Sequence, residues 1–200
     1  MLENKLNITS QVELAKQEEK ISKQKAKLLF DSGDIKNIDV GKFSGLAFIH
    51  YYLFKDIYDF AGDIRTVNIA KGHFRFAPVM YLEQSLINID NMPQNNFDEI
   101  IEKYVEMNIA HPFREGNGRA TRIWLDLIFK KQIKHVIDWN LVDKNDYLSA
   151  MQRSVIKDIE IKFILKKALT DKVNDRATFM KGIDVSYYYE GYNEFSTIEL

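Results

Sequence analysis

A loop between two helical patterns constrains the fold of this chain more than any other part of its sequence. Residues 111–122 read HPFREGNGRATR. Pro112 disfavours a helical backbone at His111, so the helix before it is predicted to end there. The Gly-Asn-Gly turn at residues 116–118 lets backbone amides face inward and lets a phosphate approach before a second helix begins. The sequence therefore predicts a helix–loop–helix unit with an anion-binding site in its loop.

The polar side chains of this loop suit the handling of a nucleotide. His111 can accept a proton near neutral pH. Arg119 and Arg122 lie three residues apart at the start of the second helix, where positive charge is unfavourable unless an anion joins it. Glu115 is out of place beside phosphates unless a divalent cation bridges them, and Mg²⁺ favours such an oxygen ligand. A purely structural turn needs none of these roles, so the pattern predicts a site for a metal-bound polyphosphate.

The loop fills every specified position of the motif His-x-Phe-x-(Asp/Glu)-Gly-Asn-(Gly/Lys)-Arg-x-x-Arg. The chain thus resembles Fic-domain proteins. The resemblance implies a nucleotidyltransferase that uses Mg²⁺ and transfers AMP from ATP to a tyrosine, threonine or serine hydroxyl of a target protein, releasing pyrophosphate. His111 would be the catalytic base, Glu115 the Mg²⁺ ligand and Phe113 the anchor of the loop in the core. The residues implied to bind the nucleotide phosphates are Gly116, Asn117, Gly118, Arg119 and, at the γ-phosphate, Arg122.

A second motif forms the end of a helix that we predict over residues 176–190 and that closes at Gly191. Residues 186–191, SYYYEG, resemble the motif (Ser/Thr)-x-x-x-Glu-(Gly/Asn), which one class of Fic proteins carries in a carboxy-terminal inhibitory helix. The resemblance implies that Glu190 pairs with Arg122 in place of the γ-phosphate and that Ser186 fixes the last turn by hydrogen bonding. The sequence alone also permits a docked aromatic tail with Glu190 pointing into water.

The same helix suggests a second regulatory hypothesis. Three adjacent tyrosines cover its last turn. Self-modification at one of them would prevent the helix from docking again. These candidates are Tyr187, Tyr188 and Tyr189.

Residues 67–76 alternate apolar and polar side chains around Lys71-Gly72, which favours a short β-hairpin. By resemblance this hairpin is a flap, residues 66–77, that holds the target segment by strand pairing. Without the resemblance, a surface hairpin with no partner is the simpler interpretation. Lys71 at the tip is expected to reach the nucleotide or the target. The preceding residues 58–65, YDFAGDIR, resemble the segment found upstream of the catalytic loop in the family.

The helical patterns elsewhere predict a mainly α fold. Residues 13–30 suggest a mostly solvated helix that docks only its Leu28-Leu29-Phe30 end. Residues 43–54 suggest a buried helix with His50 as a satisfied core side chain rather than a catalyst.

Four further helices are predicted from residue 78 onward. Pro78 fits the first position of a helix that extends to about residue 92. Asn96 and Glu99 form a pair typical of a capping box, and the helix that they begin delivers His111. Asn108 on that helix either faces the nucleotide or is an ordinary helix-end residue. Two more helices are expected, one capped by Asp143 and one over residues 156–169.

The resulting prediction is a single Fic domain over residues 1–200, a helical bundle around a central helix–loop–helix with a small hairpin flap. Its parts are an N-terminal helix (1–32), the flap (66–77), the catalytic helix–loop–helix (97–134) and the inhibitory helix (176–191).

The composition limits the classes of partner. The hydrophobic content of 46% supports a sizeable core, and the formal net charge of −1 gives no general attraction to nucleic acid or an anionic membrane. The absence of cysteine excludes disulfides and thiolate metal sites. Residues 1–20 lack the apolar centre of a signal peptide, and residues 123–129 fall far short of the ~20 needed to span a bilayer. We therefore expect a cytoplasmic protein.

Two alternative functions remain open. Glu190 could orient a water molecule for removal of AMP from a target, or the chain could be a non-catalytic module or toxin partner that binds a peptide at the flap. UTP or CDP-choline could replace ATP, although two arginines favour an unesterified triphosphate. By resemblance, type II topoisomerase subunits are the first candidate targets, and homo-oligomers are common.

Overall fold

The computed structural model describes residues 2–72 and 74–200. Over these residues it contains eight α-helices and two small antiparallel ladders. The helices are α1 (Gln11–Asp31), α2 (Phe43–Phe54), α3 (Val79–Asn91), α4 (Phe97–Ala110), α5 (Asn117–Ile133), α6 (Lys144–Arg153), α7 (Ile159–Lys167) and α8 (Arg176–Tyr189). The strands are β1 (Ala70–Lys71) paired with β2 (Phe74–Arg75), and β3 (Val136–Ile137) paired with β4 (Leu169–Thr170). None of the described helices combines the length and apolarity that crossing a bilayer requires.

Helix α5 is the centre of the bundle, because it packs against α2, α4 and α8. Its apolar side chains, including Trp124 and Phe129, are buried, and the Trp124 Nε1 donates a hydrogen bond to the Lys42 carbonyl (3.0 Å). The buried aromatic surface on this one helix is a large favourable contribution to folding. The predicted helix–loop–helix is confirmed, and its loop is mounted between two rigid core helices.

The ends of α4 follow from local chemistry. Asn96 caps the helix by accepting a hydrogen bond from the Glu99 amide (3.1 Å). The Glu99 carboxylate accepts from the Asn95 amide (2.7 Å), so the predicted reciprocal bond is displaced by one residue. At the other end His111 adopts a left-handed backbone (φ 48°), consistent with a Pro112 that disfavours another helical residue.

The predicted helix over residues 43–54 is confirmed with both of its bounds. The next predicted helix begins at Val79, because Pro78 is its N-cap rather than its first helical residue.

Helix α7 is shorter than predicted. Leu169–Thr170 leaves the helix to pair with Val136–Ile137, and strands of two residues carry too little alternation to be recognised in sequence.

The prediction for the first helix is wrong in its exposure. Helix α1 buries one face along most of its length against α2 and α8, and at its predicted docking end Leu29 is buried whereas Leu28 is 49% exposed. The charged residues of its inner face are paired with groups from distant parts of the chain. The buried residues of α1 are Leu14, Glu18, Glu19, Ser22, Lys23, Ala26 and Leu29.

An antiparallel pair lies where the hairpin is predicted, with Ala70 opposite Arg75 and Lys71 opposite Phe74. His73 lies outside the described residues. The hairpin is joined to the core beside the loop, since the Ala77 amide donates to the Ile109 carbonyl (3.0 Å).

Candidate active site

His111 lies at the junction of α4 and the loop, with its imidazole stacked on the Phe76 ring (centroid distance 3.6 Å). Burial lowers the pKa of His111 to about 4. The imidazole is therefore neutral at pH 7 and can accept a proton. Among the described residues, its Nδ1 has no hydrogen-bond partner.

Arg65 holds the backbone of His111, a role that sequence reasoning missed. Its guanidinium donates from Nε to the His111 carbonyl (2.8 Å) and from Nη2 to the Ala110 carbonyl (3.1 Å). The remaining bonds go to the flap side, to the Val67 carbonyl (2.7 Å) and the Ala77 carbonyl (2.5 Å). Arg65 is buried, and burial lowers its pKa. The signal in the sequence was an arginine closing the segment YDFAGDIR, but nothing local showed that carbonyls would be its partners.

The loop is anchored in the core as the resemblance implies. Phe113 is fully buried and stacks on His50 (3.8 Å). The His50 Nδ1 accepts from the Gly62 amide (2.9 Å), so its Nε2 carries the proton and donates to the Glu115 carbonyl (2.8 Å). Burial lowers the pKa of His50 to about 3. His50 is thus a satisfied core side chain, as predicted, and it also supports the loop.

The side chain of Asn117 makes its hydrogen bonds within the loop, and a phosphate contact of this residue stays a prediction. Its Oδ1 accepts from the Phe113 amide and its Nδ2 donates to the Phe113 carbonyl, both at 2.8 Å. The side chain therefore closes the loop on itself, which leaves phosphate contacts to the backbone amides at the start of α5. A Cβ at Gly118 would lie 2.2 Å from a Glu190 carboxylate oxygen, so a side chain there would require that carboxylate to shift.

Arg122 is held by α8 at three points. Its Nη2 donates to the Glu190 Oε1 (2.7 Å) and the Ser186 carbonyl (2.9 Å), and its Nε donates to the Ser186 Oγ (2.6 Å). The ion pair implied by the resemblance is therefore present. Ser186 acts differently from its prediction, because its hydroxyl binds Arg122 rather than the last turn of its own helix.

Arg119 is buried among three carboxylates. Its Nη1 lies 2.6 Å from Glu18 Oε1, its Nη2 lies 3.0 Å from Glu115 Oε1 and its Nε lies 2.9 Å from Glu190 Oε2. The Nε contact is an ion pair without hydrogen-bond alignment. Burial would lower the pKa of Arg119, but Glu18 and Glu190 outweigh it and the pKa lies above its ordinary value. Glu18 was missed in sequence because it lies about one hundred residues away on another helix.

Glu190 is the C-cap of α8 and points inward, which excludes the alternative that it points into water. Burial disfavours its ionised form, yet Arg119 and Arg122 outweigh burial and keep the pKa of Glu190 below its ordinary value. The carboxylate is therefore charged at neutral pH and occupies both arginines at once.

Glu115 lies at the rim of the site with its side chain 40% exposed. Its Oε1 accepts from the Gly116 amide (2.9 Å) and from Arg119 Nη2 (3.0 Å). The part of the chain that the structure describes has no group of three or more histidine or carboxylate side chains that could hold a metal alone. A single accessible carboxylate beside anion-binding amides fits Mg²⁺, which takes most of its ligands from phosphates and water.

The other predicted residues differ in how close they come to the site. Lys71 is exposed on the hairpin, and its charge contributes to lowering the pKa of both His111 and Glu190. Asn108 is half-buried on the last turn of α4, and its contact with a nucleotide stays a prediction. Of the three tyrosines, Tyr187 and Tyr189 are buried and only Tyr188 is exposed (51%), so the docked helix offers one ring for modification.

Comparison with known proteins supports the same interpretation of this loop. Residues 42–129 match the model of the Fic/DOC family. The chain is 27% identical over 171 residues to a protein of Sinorhizobium fredii named "Probable protein adenylyltransferase y4lH", covering 80% of this chain and 85% of that protein. It is 31% identical over 149 residues to the protein adenylyltransferase VbhT of Bartonella schoenbuchensis, covering 68% of this chain but only 31% of that longer protein.

Solved structures show the same fold. The BepC protein of Bartonella tribocorum, crystallised with bound AMPPNP, superposes with a TM-score of 0.68 at 17% identity, covering 85% of this chain and 92% of that one. The N-terminal Fic domain of a Bartonella effector protein from strain AR 15-3 gives a TM-score of 0.70 at 18% identity, covering 85% and 88%.

Proposed function

This chain carries a Fic domain, and from that premise we propose that it transfers AMP from ATP to a hydroxyl side chain of a target protein. In this reaction the target oxygen bonds to the α-phosphorus, and the bond from that phosphorus to the oxygen bridging the β-phosphate breaks. The hydroxyl proton passes to the His111 imidazole, and the electron pair of the broken bond leaves with pyrophosphate.

The observation that carries the proposal is the convergence of four groups on one loop. The neutral imidazole of His111, the accessible carboxylate of Glu115, the amides at the start of α5 and the guanidinium groups of Arg119 and Arg122 surround the same turn. Mg²⁺ held by Glu115 would neutralise charge on the departing pyrophosphate. A module that only binds a peptide needs neither a base nor a metal ligand, so the set favours catalysis.

We further propose that α8 inhibits this activity. Glu190 occupies both arginines, and the γ-phosphate would need the same positions. ATP would then bind with its α-phosphate misaligned, and phosphoryl transfer is very sensitive to such misplacement. Both oxygens of the Glu190 carboxylate are committed to arginines, which favours inhibition over the orientation of a water for AMP removal.

The target is proposed to bind along the hairpin of β1 and β2. The exposed side chains of Lys71 and Arg75 flank that edge, where an extended segment can add backbone hydrogen bonds. Type II topoisomerase subunits are the first proteins to test, by resemblance alone. Self-modification would be directed to Tyr188, the exposed ring of the three.

The test is AMP incorporation from labelled ATP with Mg²⁺ in a cell lysate. We expect Glu190→Gly to raise incorporation by roughly tenfold or more, because one buried ion-pair partner is worth several kcal/mol. His111→Ala is expected to abolish incorporation in both backgrounds, since the hydroxyl then has no base. A Glu190→Gly variant that binds ATP but labels no protein would contradict the proposal. Removal of AMP from a labelled protein by the unmodified chain, but not by Glu190→Gly, would favour the alternative.

A further inference from the structure

Glu18 is a buried carboxylate beside Arg119 that does not belong to α8 and would remain there if α8 withdrew. It comes from α1, outside residues 42–129 that match the family model. Its side chain is 3% exposed, and its Oε1 lies 2.6 Å from Arg119 Nη1. Its Oε2 accepts a hydrogen bond from Tyr58. Both oxygens are therefore fixed by groups of the static core.

The contacts of Arg119 fall into two sets. One set belongs to α8 and the segment after it and would leave with them: the Glu190 carboxylate, and the rings of Tyr187 and Tyr192, whose centroids lie 5.3 and 4.7 Å from the guanidinium carbon. The other set remains: Glu18, Glu115 and the ring of Phe54 (4.8 Å). Of the two remaining carboxylates only Glu18 is buried, since Glu115 is exposed at the rim.

A buried guanidinium needs a counter-charge at every stage. If Glu190 leaves before the triphosphate enters, Arg119 would be uncompensated in the interior unless a carboxylate remained, and such a state is strongly unfavourable. Glu18 binds the Nη1 of Arg119, whereas the Nε of Arg119 faces Glu190. The bond to Glu18 would therefore keep Nε directed at the position that Glu190 leaves. Tyr192 also donates to Glu18 Oε1 (2.9 Å), so its departure leaves that oxygen to Arg119 alone.

We propose that Glu18 is a positioning residue of the nucleotide site, which holds Arg119 in place through the exchange of Glu190 for a triphosphate. The inference rests on the proposed function. It also makes α1 part of the site. Arg119 already donates a hydrogen bond to Glu115 Oε1. Without Glu18, Arg119 would be drawn further toward Glu115 and would compete with Mg²⁺ for the carboxylate proposed to hold it.

Three variants in the Glu190→Gly background test the proposal. Glu18→Ala removes both charge and acceptor, and we expect kcat at saturating ATP to fall roughly tenfold or more, because Arg119 loses its orientation. Glu18→Gln keeps an acceptor of the same shape, and we expect it to retain most of kcat. Glu19→Ala is the matched control. Glu19 is equally buried on the same helix, but it binds Lys23 (2.9 Å) and the amides of Glu194 and Phe195 instead of Arg119. Its loss would loosen the segment after α8 and leave Arg119 in place, so kcat should not fall.

A binding measurement separates this proposal from a failure of the proposed function. Calorimetry with α,β-methylene-ATP, whose bridge between the α- and β-phosphates cannot be cleaved, needs no target protein. We expect Glu18→Gln to bind it roughly threefold more tightly or better, because the triphosphate then becomes the main counter-charge of Arg119. If no AMP transfer is ever detected, the proposed function fails while this measurement still decides the role of Glu18.

Two results would overturn the proposal. Equal losses of kcat in Glu18→Ala and Glu19→Ala would mean that the carboxylate is merely part of the packing of α1. Unchanged affinity of Glu18→Gln for α,β-methylene-ATP would mean that Glu18 does not share Arg119 with the phosphates. Should Glu18→Ala fail to fold, as judged by circular dichroism, the affinity of Glu18→Gln decides alone.

Discussion

At the scale of single residues, Arg65 links the proposed base to the flap through backbone carbonyls. Its guanidinium bonds to His111 and Ala110 on one side and to Val67 and Ala77 on the other. The left-handed backbone of His111 is a strained conformation for a non-glycine residue and persists only where its surroundings enforce it. Arg65 holds the backbone of His111 in this conformation through its bond to the His111 carbonyl. It is not one of the groups proposed to contact the nucleotide.

Arg65→Lys should therefore reduce the rate of the chemical step more than the binding of ATP. A lysine has one ammonium group and cannot reproduce bonds to four carbonyls. In the Glu190→Gly background we expect kcat to fall by roughly tenfold to a hundredfold, with KM for ATP changed little, because a small misplacement of the base has such effects. Steady-state kinetics of AMP transfer measures both parameters. Arg114→Ala, at an exposed arginine of the same loop, is the control and should leave both unchanged.

At the scale of elements, a strap connects α8, the helix proposed to be inhibitory, to α1. The strap, residues 192–200, is tied to α1 where the Glu194 and Phe195 amides donate to the Glu19 carboxylate (3.1 and 3.2 Å). It is tied to α8 where Thr197 binds Asp184 (2.9 Å). Lys23 is buried between these carboxylates, 2.9 Å from Glu19 and 3.2 Å from Asp184.

Removing residues 193–200 should release part of the inhibition. Each lost hydrogen bond contributes about 1 kcal/mol, so we expect AMP incorporation to rise several-fold but to remain below that of Glu190→Gly, because the ion pairs of Glu190 are retained. Incorporation of labelled AMP into a lysate measures the effect. Lys16→Ala removes only an exposed ion pair of the strap with Glu194 and should have almost no effect. An unchanged rate in the truncated chain would show that the strap does not hold α8.

The elements also show which parts of the molecule could be predicted from sequence. Residues 43–54 are apolar on nearly every side, so their burial as α2 was evident locally. The catalytic loop was recognisable because its polar residues are adjacent in the chain. The burial of α1 could not be recognised locally, since Glu18 and Lys23 are polar residues whose partners, Arg119 and the strap, are distant in sequence. The role of Arg65 could not be predicted either, because its partners are backbone carbonyls, which have no signature in a sequence.

At the scale of the whole molecule, three buried titratable groups make stability depend on pH. Burial lowers the pKa of His50 to about 3 and that of His111 to about 4, whereas the unfolded chain titrates near the ordinary value of 6.5. Between pH 6.5 and about 4, the unfolded state therefore binds two protons that the folded state does not. Asp126 acts in the opposite direction, because burial raises its pKa to about 7 from 3.8 and the folded state holds its proton in this window.

Because two histidines destabilise the folded state on acidification and one aspartate stabilises it, we expect a net loss of stability as the pH falls. The unfolding free energy should fall by about 1.4 kcal/mol for each pH unit between roughly pH 6 and 4.5, since one net proton is taken up on unfolding. Urea unfolding at a series of pH values measures this slope. Asp126→Asn removes the opposing group and should make the slope steeper, while His50→Gln should make it flatter, whatever either change does to stability at pH 7. A slope that neither variant alters would mean that His50 and Asp126 do not titrate with the shifted pKa values that their burial predicts.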